Sequence, residues 1–316
     1  MSDRILVCGA GGYVGRNLVR FLAARGNQVV AVTRTPPKSL PPGVEFDLAD
    51  LSNAEECRNL IQKLSPRWVF NLAAQVGGIQ FVNANQSTGL NDVLINSNLI
   101  DACARVGIAR YFFASSSCVY PDIATPLKES DAYPANPVGG YGWAKLFSER
   151  VCAAYSAERN LPTTVLRYHG IYGPGDIRPQ GRDHVISSLV KKVAQAKLSR
   201  TSEIPVWGDG TQTRSFLYID DCIEGTVRAM DRGVDGPFNL AHPTPVSIKD
   251  IISTLEYIAA FPLVPFYNRD APVGRVHKTA DCTAMRDALN WQPETSLKDG
   301  LSRTYHEAWT EVAYAK

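Results

Sequence analysis

The chain has 316 residues, 45% of them hydrophobic, and a formal net charge of +2, enough apolar material for a sizeable core divided between two coupled lobes. This near-neutral balance leaves no basic stripe for nucleic acid, and no apolar run approaches the ~20 residues that a membrane helix needs. The seven cysteines are scattered without a C-x-x-C pair, and the five histidines form no H-x-x-x-H spacing. A disulfide framework and a metal site are therefore not expected, and without a charged, apolar leader the chain is expected in a reducing cytoplasm.

Arg4 to Cys8 reads as a buried parallel strand. It runs straight into Gly9-Ala10-Gly11-Gly12-Tyr13-Val14-Gly15 and then a helical stretch, Arg16 to Ala24, with Gly26 as its C-cap. Strand, glycine turn and helix in that order form a dinucleotide fingerprint. Gly9 allows the tight turn, Gly12 lets the backbone approach a pyrophosphate, and Gly15 packs the helix. The anion sits at the positive helix end, beside Tyr13 and Val14. The second strand, Gln28 to Val32, ends in Thr33-Arg34 without the carboxylate that usually binds the ribose. Arg34 either holds a 2′-phosphate, which leans the cofactor toward NADP over NAD, or is a solvated loop arginine. Phe46-Asp47-Leu48 is expected near the adenine, with Asp47 a ligand or a turn residue. Trp68 to Ala74 is the fourth strand, ending in Leu72, Ala73 and Ala74 where a cofactor can lie close above the backbone. Gln75 to Gly78 forms a loop at the sheet's carboxyl edge. A helix from Gln86 to Val106 and a strand from Tyr111 to Ala114 follow.

This alternation specifies an α/β fold, a doubly wound parallel sheet with a smaller interleaved C-terminal lobe. Residues 1–170, with 214–242 returning, form the dinucleotide-binding domain; residues 171–213 and 243–316 form the second lobe.

The strand ending at Ala114 runs into Ser115-Ser116-Ser117-Cys118-Val119-Tyr120-Pro121, which puts hydroxyls and a thiol at the sheet edge. Next comes Tyr141-Gly142-Trp143-Ala144-Lys145, with a phenol and an ammonium four positions apart on one helix face. Tyrosine, with a pKa near ~10, becomes a usable proton acceptor beside a positive charge. Gly-x-x-Gly-x-x-Gly, the Ser-rich strand end and Tyr-x-x-x-Lys, with Arg167 to Pro174 and Trp207 to Phe216, resemble the extended short-chain dehydrogenase/reductase family over nearly the whole chain. This is the NAD-dependent epimerase/dehydratase family of nucleotide-sugar enzymes. The resemblance implies that Tyr141, Lys145 and Ser116 handle a sugar hydroxyl or ketone while a nicotinamide exchanges hydride.

Cys118, within Ser-Cys-Val-Tyr-Pro, and Gln75 to Ile79 resemble two narrower groups, the GDP-mannose 3,5-epimerases and the GDP-L-fucose synthases. Both pair a cysteine with a second acid/base residue across a 4-keto sugar. The carbonyl at C4 acidifies the protons on C3 and C5, and inverting either centre takes a base on one face and an acid on the other. His184 aligns with the second position, and imidazole, with an unperturbed pKa near ~6.5, suits it. The bland alternatives are a core-filling thiol and an ordinary loop histidine.

Asp209 to Phe216 and Leu127 to Ala132 read toward the epimerases; His184 and Arg34 read toward the synthases. Gly170 stands where both groups place an Asn in the substrate pocket, and Lys278 where the epimerases have an Arg near the diphosphate. Candidate substrate contacts are Gly78, Ser116, Ser117, Cys118, Gly170, His184, Arg214 and Lys278. The last two are either diphosphate ligands, Arg214 by fork-like pairing, or solvated cations. Asp220-Asp221 is read as the N-cap of a helix from Cys222 to Met230 and not as a catalytic pair.

The expected function is C3 and/or C5 epimerisation of a nucleotide sugar, a GDP-sugar, through a transient 4-keto intermediate. The alternatives are an epimerase-reductase that consumes NADPH and a non-catalytic dinucleotide-binding sensor. The resemblance also implies a homodimer through the helices Gln86 to Val106 and Tyr141 to Arg159.

Overall fold

The computed structural model describes residues 3–75, 77, 79–123, 125–137, 139–176, 183–271 and 273–314. The first half runs β1 (Ile5–Cys8), α1 (Tyr13–Ala24), β2 (Val29–Thr33), β3 (Glu45–Leu48), α2 (Ala54–Leu64), β4 (Trp68–Asn71), α3 (Ile79–Ala84), α4 (Thr88–Val106), β5 (Arg110–Ser116) and α5 (Gly139–Arg159). The second half runs β6 (Thr163–Tyr168), β7 (Ile171–Tyr172), α6 (Val185–Ser199), β8 (Glu203–Trp207), β9 (Thr213–Arg214), β10 (Leu217–Tyr218) and α7 (Ile219–Arg232). It ends with β11 (Phe238–Leu240), β12 (Val246–Ser247), α8 (Ile248–Ala259), β13 (Val264–Asn268), β14 (His277–Lys278), α9 (Thr283–Leu289) and α10 (Leu297–Tyr314).

Seven parallel strands form one sheet in the order β11-β6-β5-β4-β1-β2-β3. The chain moves outward from β1 to β3, then returns to the other side of β1 to lay down β4. The crevice between β1 and β4, at the strands' carboxyl ends, is thus the switch point where ligands bind in open α/β sheets. β1 is buried along its length because both faces are covered, and its residues alternate between two cores. Ile5 and Val7 join Leu18 and Leu22 of α1 and the helices of the second lobe, whereas Leu6 and Cys8 join α2 and α4 through Leu60, Ile61 and Leu99. The first core runs without a break into Ile186, Leu189 and Val190 of α6 and Ile251 and Leu255 of α8. The second lobe is therefore packed onto the sheet's α1 face. Its strands form small sheets, β13-β8 and β12-β9-β14, and the large sheet draws on residues 5–168 before taking back 238–240.

Three local readings of the sequence change. β4 ends at Asn71, whose side-chain oxygen accepts the Ala73 amide at 3.2 Å and turns the chain, so Leu72 to Ala74 lie beyond the strand. The long helix starts at Thr88, after a short helix at Ile79–Ala84 that hydrophobic spacing did not reveal. Asp220 and Asp221 do not cap their helix. α7 already starts at Ile219, and Asp221 accepts the amides of Glu294 and Thr295 at 3.4 and 3.1 Å, clamping the segment before α10. Among the described residues no helix is long and apolar enough to cross a membrane.

Candidate active site

The glycine turn fits a dinucleotide pyrophosphate. Gly9 has φ +82°, and a Cβ on it would lie 2.8 Å from the Ala73 nitrogen, while a Cβ on Gly15 would run into the Gly9 carbonyl. The two glycines let β1, α1 and the end of β4 close on one another. Gly12 is the N-cap of α1 and no side chain caps the helix, so the first-turn amides, those of Tyr13, Val14 and Gly15, form a cradle for an anion at the positive helix end. The Tyr13 phenol points toward Gly173. Its hydroxyl is buried against Gly173, has no hydrogen-bond partner among the described residues, and burial pushes its pKa far up. Arg34 is exposed just past β2. The Asp47 carboxylate is held by Lys63 at 2.6 Å and by the Leu48 amide at 3.0 Å. Gly78 lies outside the described residues.

α5 carries Tyr141, Lys145 and Glu149 at four-residue steps, hence on one face. Lys145 is 4% exposed. Its ammonium donates to the Ala114 carbonyl at 2.9 Å, lies 4.8 Å from the Phe113 ring centroid and 5.6 Å from that of Tyr141. Burial lowers its pKa, and the charge of Asp92 is the main counterweight. Asp92, on α4, is a residue that sequence reasoning missed. It is buried, accepts the Gln75 amide at 3.0 Å through Oδ1, and leaves Oδ2 without a hydrogen-bond partner among the described residues. Burial raises its pKa while Lys145 pulls it down.

The Ser-rich strand end bends into a 3-10 turn at Ser117–Val119, with the Ser116 hydroxyl accepting the Cys118 amide at 3.2 Å. Gly142 allows the first turn of α5 to press onto this bend, because a Cβ there would collide with the Cys118 carbonyl. Tyr141, Lys145, Ser116 and Cys118 are thereby gathered at the carboxyl end of β5. Ser117 is buried.

The Lys278 ammonium lies 3.6 Å from the Cys118 sulfur. Burial pushes the thiol's pKa up, but Lys278, Ser116 and Arg275 outweigh it and leave the thiol below its ordinary value. The Arg214 guanidinium donates to the carbonyls of Thr213, Val273, Arg275 and Val276. Burial, with the charge of Arg275, lowers it to about 10. Arg275, which no motif marked, donates to the Tyr120 carbonyl, lies 3.4 Å from Asp122, and has a buried Nη1 with no partner among the described residues. Gly170 packs against Ser215 and Phe216 so closely that no side chain fits there. His184 is carried by the second lobe. It is the half-buried N-cap residue of α6, and its carbonyl accepts the Ser188 amide at 2.9 Å.

Beneath these groups lies a buried polar network. Glu149 takes a bidentate pair from Arg167 at 2.9 and 2.7 Å and the Ser115 hydroxyl at 2.5 Å. Arg167 also donates to the Tyr120 hydroxyl at 3.1 Å, which donates to Asn239 at 2.6 Å. His169, whose Nε2 is 3.0 Å from the same Asn239 oxygen, is pushed down to about 3 by burial and stays neutral.

Residues 5–241 match the NAD dependent epimerase/dehydratase family. A GDP-mannose 3,5-epimerase 1 from Oryza sativa subsp. indica is 34% identical, over 96% of this chain and 80% of its own length. A probable GDP-L-fucose synthase 1 from Oryza sativa subsp. japonica is 29% identical, over 100% and 94%. The crystal structure of UDP-glucuronic acid 4-epimerase from Bacillus cereus, in complex with UDP-glucuronic acid and NAD, superposes with a TM-score of 0.82. It is 28% identical, with 96% of this chain and 98% of that chain covered. Because the family match runs from β1 to the residue after β11 and takes in the whole large sheet, this protein belongs to the NAD dependent epimerase/dehydratase family.

Proposed function

We propose that the protein epimerises a GDP-sugar at C3 and/or C5 through a transient 4-keto intermediate. The observation that carries this reading is Cys118, half-buried, held 3.6 Å from an ammonium and packed on the helix of Tyr141 and Lys145. Simple inversion at C4 has no use for a positioned thiol; inversion beside the ketone does. A nicotinamide dinucleotide, when bound, supplies the hydride acceptor and donor for C4. Tyr141 takes the C4 hydroxyl proton with Lys145 behind it, and Ser116 hydrogen-bonds the same oxygen. Cys118 and His184 exchange protons with C3 or C5 from opposite ring faces. The choice of a GDP-sugar is supported by the GDP-mannose 3,5-epimerase and GDP-L-fucose synthase relatives.

A second reading, the epimerase-reductase, is favoured by Arg34, exposed at the end of β2 with no acidic residue beside it on that strand. That position suits a 2′-phosphate and hence NADP. Incubation with GDP-mannose in deuterated water, with NAD or NADP and no reductant, tests the first reading, and a 4-keto-6-deoxy GDP-sugar with NADPH tests the second. The expected result is deuterium at C3 or C5 with no net change in cofactor. NADPH oxidised mole for mole with a 4-keto-6-deoxy GDP-sugar selects the reductase, and neither result sinks both readings. Arg34→Ala is expected to erase any preference for NADP over NAD.

A homodimer through α4 and α5 is supported by Leu90 and Leu94 on one helix and Trp143 and Phe147 on the other. These side chains are 68%, 44%, 48% and 54% exposed and four residues apart within each pair. Light scattering is expected to give twice the chain mass, and half that mass for Trp143→Glu/Phe147→Glu; a wild-type monomer rejects the dimer. Seven free thiols, five of them buried, fit the reducing compartment proposed for the chain.

A further inference from the structure

Three cations of the second lobe gather near Cys118. β14 pairs in register with β9, which sets Lys278 beside Arg214, and Arg275 precedes them in the same segment. Negative charge is scarce among the described groups there. Arg214 is spent on neutral carbonyls, Arg275 meets Asp122 at 3.4 Å, and that carboxylate is 74% exposed and well screened. Half-buried cations without anionic partners carry a desolvation cost. What stands 3.6 Å from the Lys278 ammonium is the sulfur of Cys118.

We propose that Lys278 is a positioning residue that keeps Cys118 as the thiolate in the resting protein, so that Cys118 begins turnover as the base. The contact stands on the geometry; the use of Cys118 as a base rests on the function proposed above. In the base step a sugar C–H bond breaks, the proton goes to sulfur, and the electron pair moves into the enolate of the C4 ketone. A second group then protonates the opposite face, and water afterwards takes the proton from the thiol and returns one to the second group.

The charges around Cys118 come from several elements. Lys278 and, through it, Arg214 lie on the strand side, Arg275 on the preceding loop, and Lys145 on α5, where it feels the thiolate in turn. Burial lowers the Lys278 ammonium, Cys118 partly offsets that fall, and Arg275 and Arg214 add to it, so the two groups act on each other's charge.

The test reads the thiol directly. Full-length wild type, Lys278→Met and Lys278→Arg are alkylated with iodoacetamide across a pH series, and modification of the Cys118 peptide is followed by mass spectrometry. Wild type is expected to reach half its maximal rate well below the ~8.5 of a free thiol, Lys278→Met about 1–3 pH units higher, and Lys278→Arg near wild type. Cys282, pushed up to about 12 by burial, reports intactness by staying unreactive. Coincident profiles for wild type and Lys278→Met, with Cys282 protected, overturn the proposal. If Lys278→Met unfolds and exposes Cys282, the wild-type midpoint decides: at or above that of a free thiol, the ion pair is rejected. A shifted profile in a protein that incorporates no deuterium into GDP-mannose upholds the ion pair and rejects the epimerase.

Discussion

Cys118→Ser is expected to suppress solvent deuterium incorporation at C3 and C5 by about 10²–10⁴-fold, the range one positioned acid/base group supplies. That corresponds to roughly 3–5 kcal/mol of barrier. The substitution keeps size and polarity at a half-buried bend, and the Cys118 backbone contacts with Ser116 and Gly142 do not involve the sulfur. What it removes is an atom that ionises near neutral pH, because Lys278 cannot make a base of an alcohol as it can of a thiol. Nucleotide-sugar affinity is expected to stay within a few-fold, which separates lost chemistry from lost binding. Tyr141→Phe gives the complementary pattern. It blocks formation of the ketone and so stops exchange from GDP-mannose, but a 4-keto sugar supplied directly still exchanges, since the C3 and C5 protons are then already acidic. Exchange at the wild-type rate in Cys118→Ser, read by proton NMR of the recovered sugar, removes the thiol from the mechanism.

What the sequence discloses and what it withholds divide along contact range. The glycine turn, Tyr141 with Lys145, and the Ser116-to-Cys118 bend are set by residues within a few positions of one another, so spacing alone reveals them. The partner of Cys118 is 160 residues away, and the Tyr120 carbonyl that anchors Arg275 is 155 away. Nothing local to Lys278 announces a thiol. Asp92 was passed over because a single acidic residue in a helical pattern normally faces water; here α4 packs under α5 and buries it. The Asp220-Asp221 pair misled in the opposite direction. Local rules read a cap, whereas β10 starts the helix early and the backbone at 294–295 takes the carboxylate of Asp221.

Arg167→Met is expected to destabilise the fold by about 3–5 kcal/mol, the cost of leaving a buried charge without its partner. Arg167 is 1% exposed, and its guanidinium serves Glu149 through two bonds, the Tyr120 hydroxyl and the Glu129 carbonyl. Methionine fills much of the volume but leaves the 6%-exposed Glu149 with the Ser115 hydroxyl as its remaining donor in this network. Against a net stability of roughly 5–15 kcal/mol such a loss is large. It corresponds to a fall in melting temperature of roughly 6–20 °C if this chain behaves as domains somewhat smaller than itself do. Glu149 follows Lys145 by one turn of α5 and Ser115 precedes Ser116, so the network also fixes the two elements that carry the reacting groups. Turnover of the surviving folded fraction is therefore expected to fall as well. The companion Glu149→Leu should cost a similar amount, whereas the double variant, with no orphaned charge, should cost less than the two singles summed. Chemical denaturation of the four proteins reads this cycle. If the singles lose under ~1 kcal/mol each and add in the double, the pair is not what holds β5, α5 and β6 together.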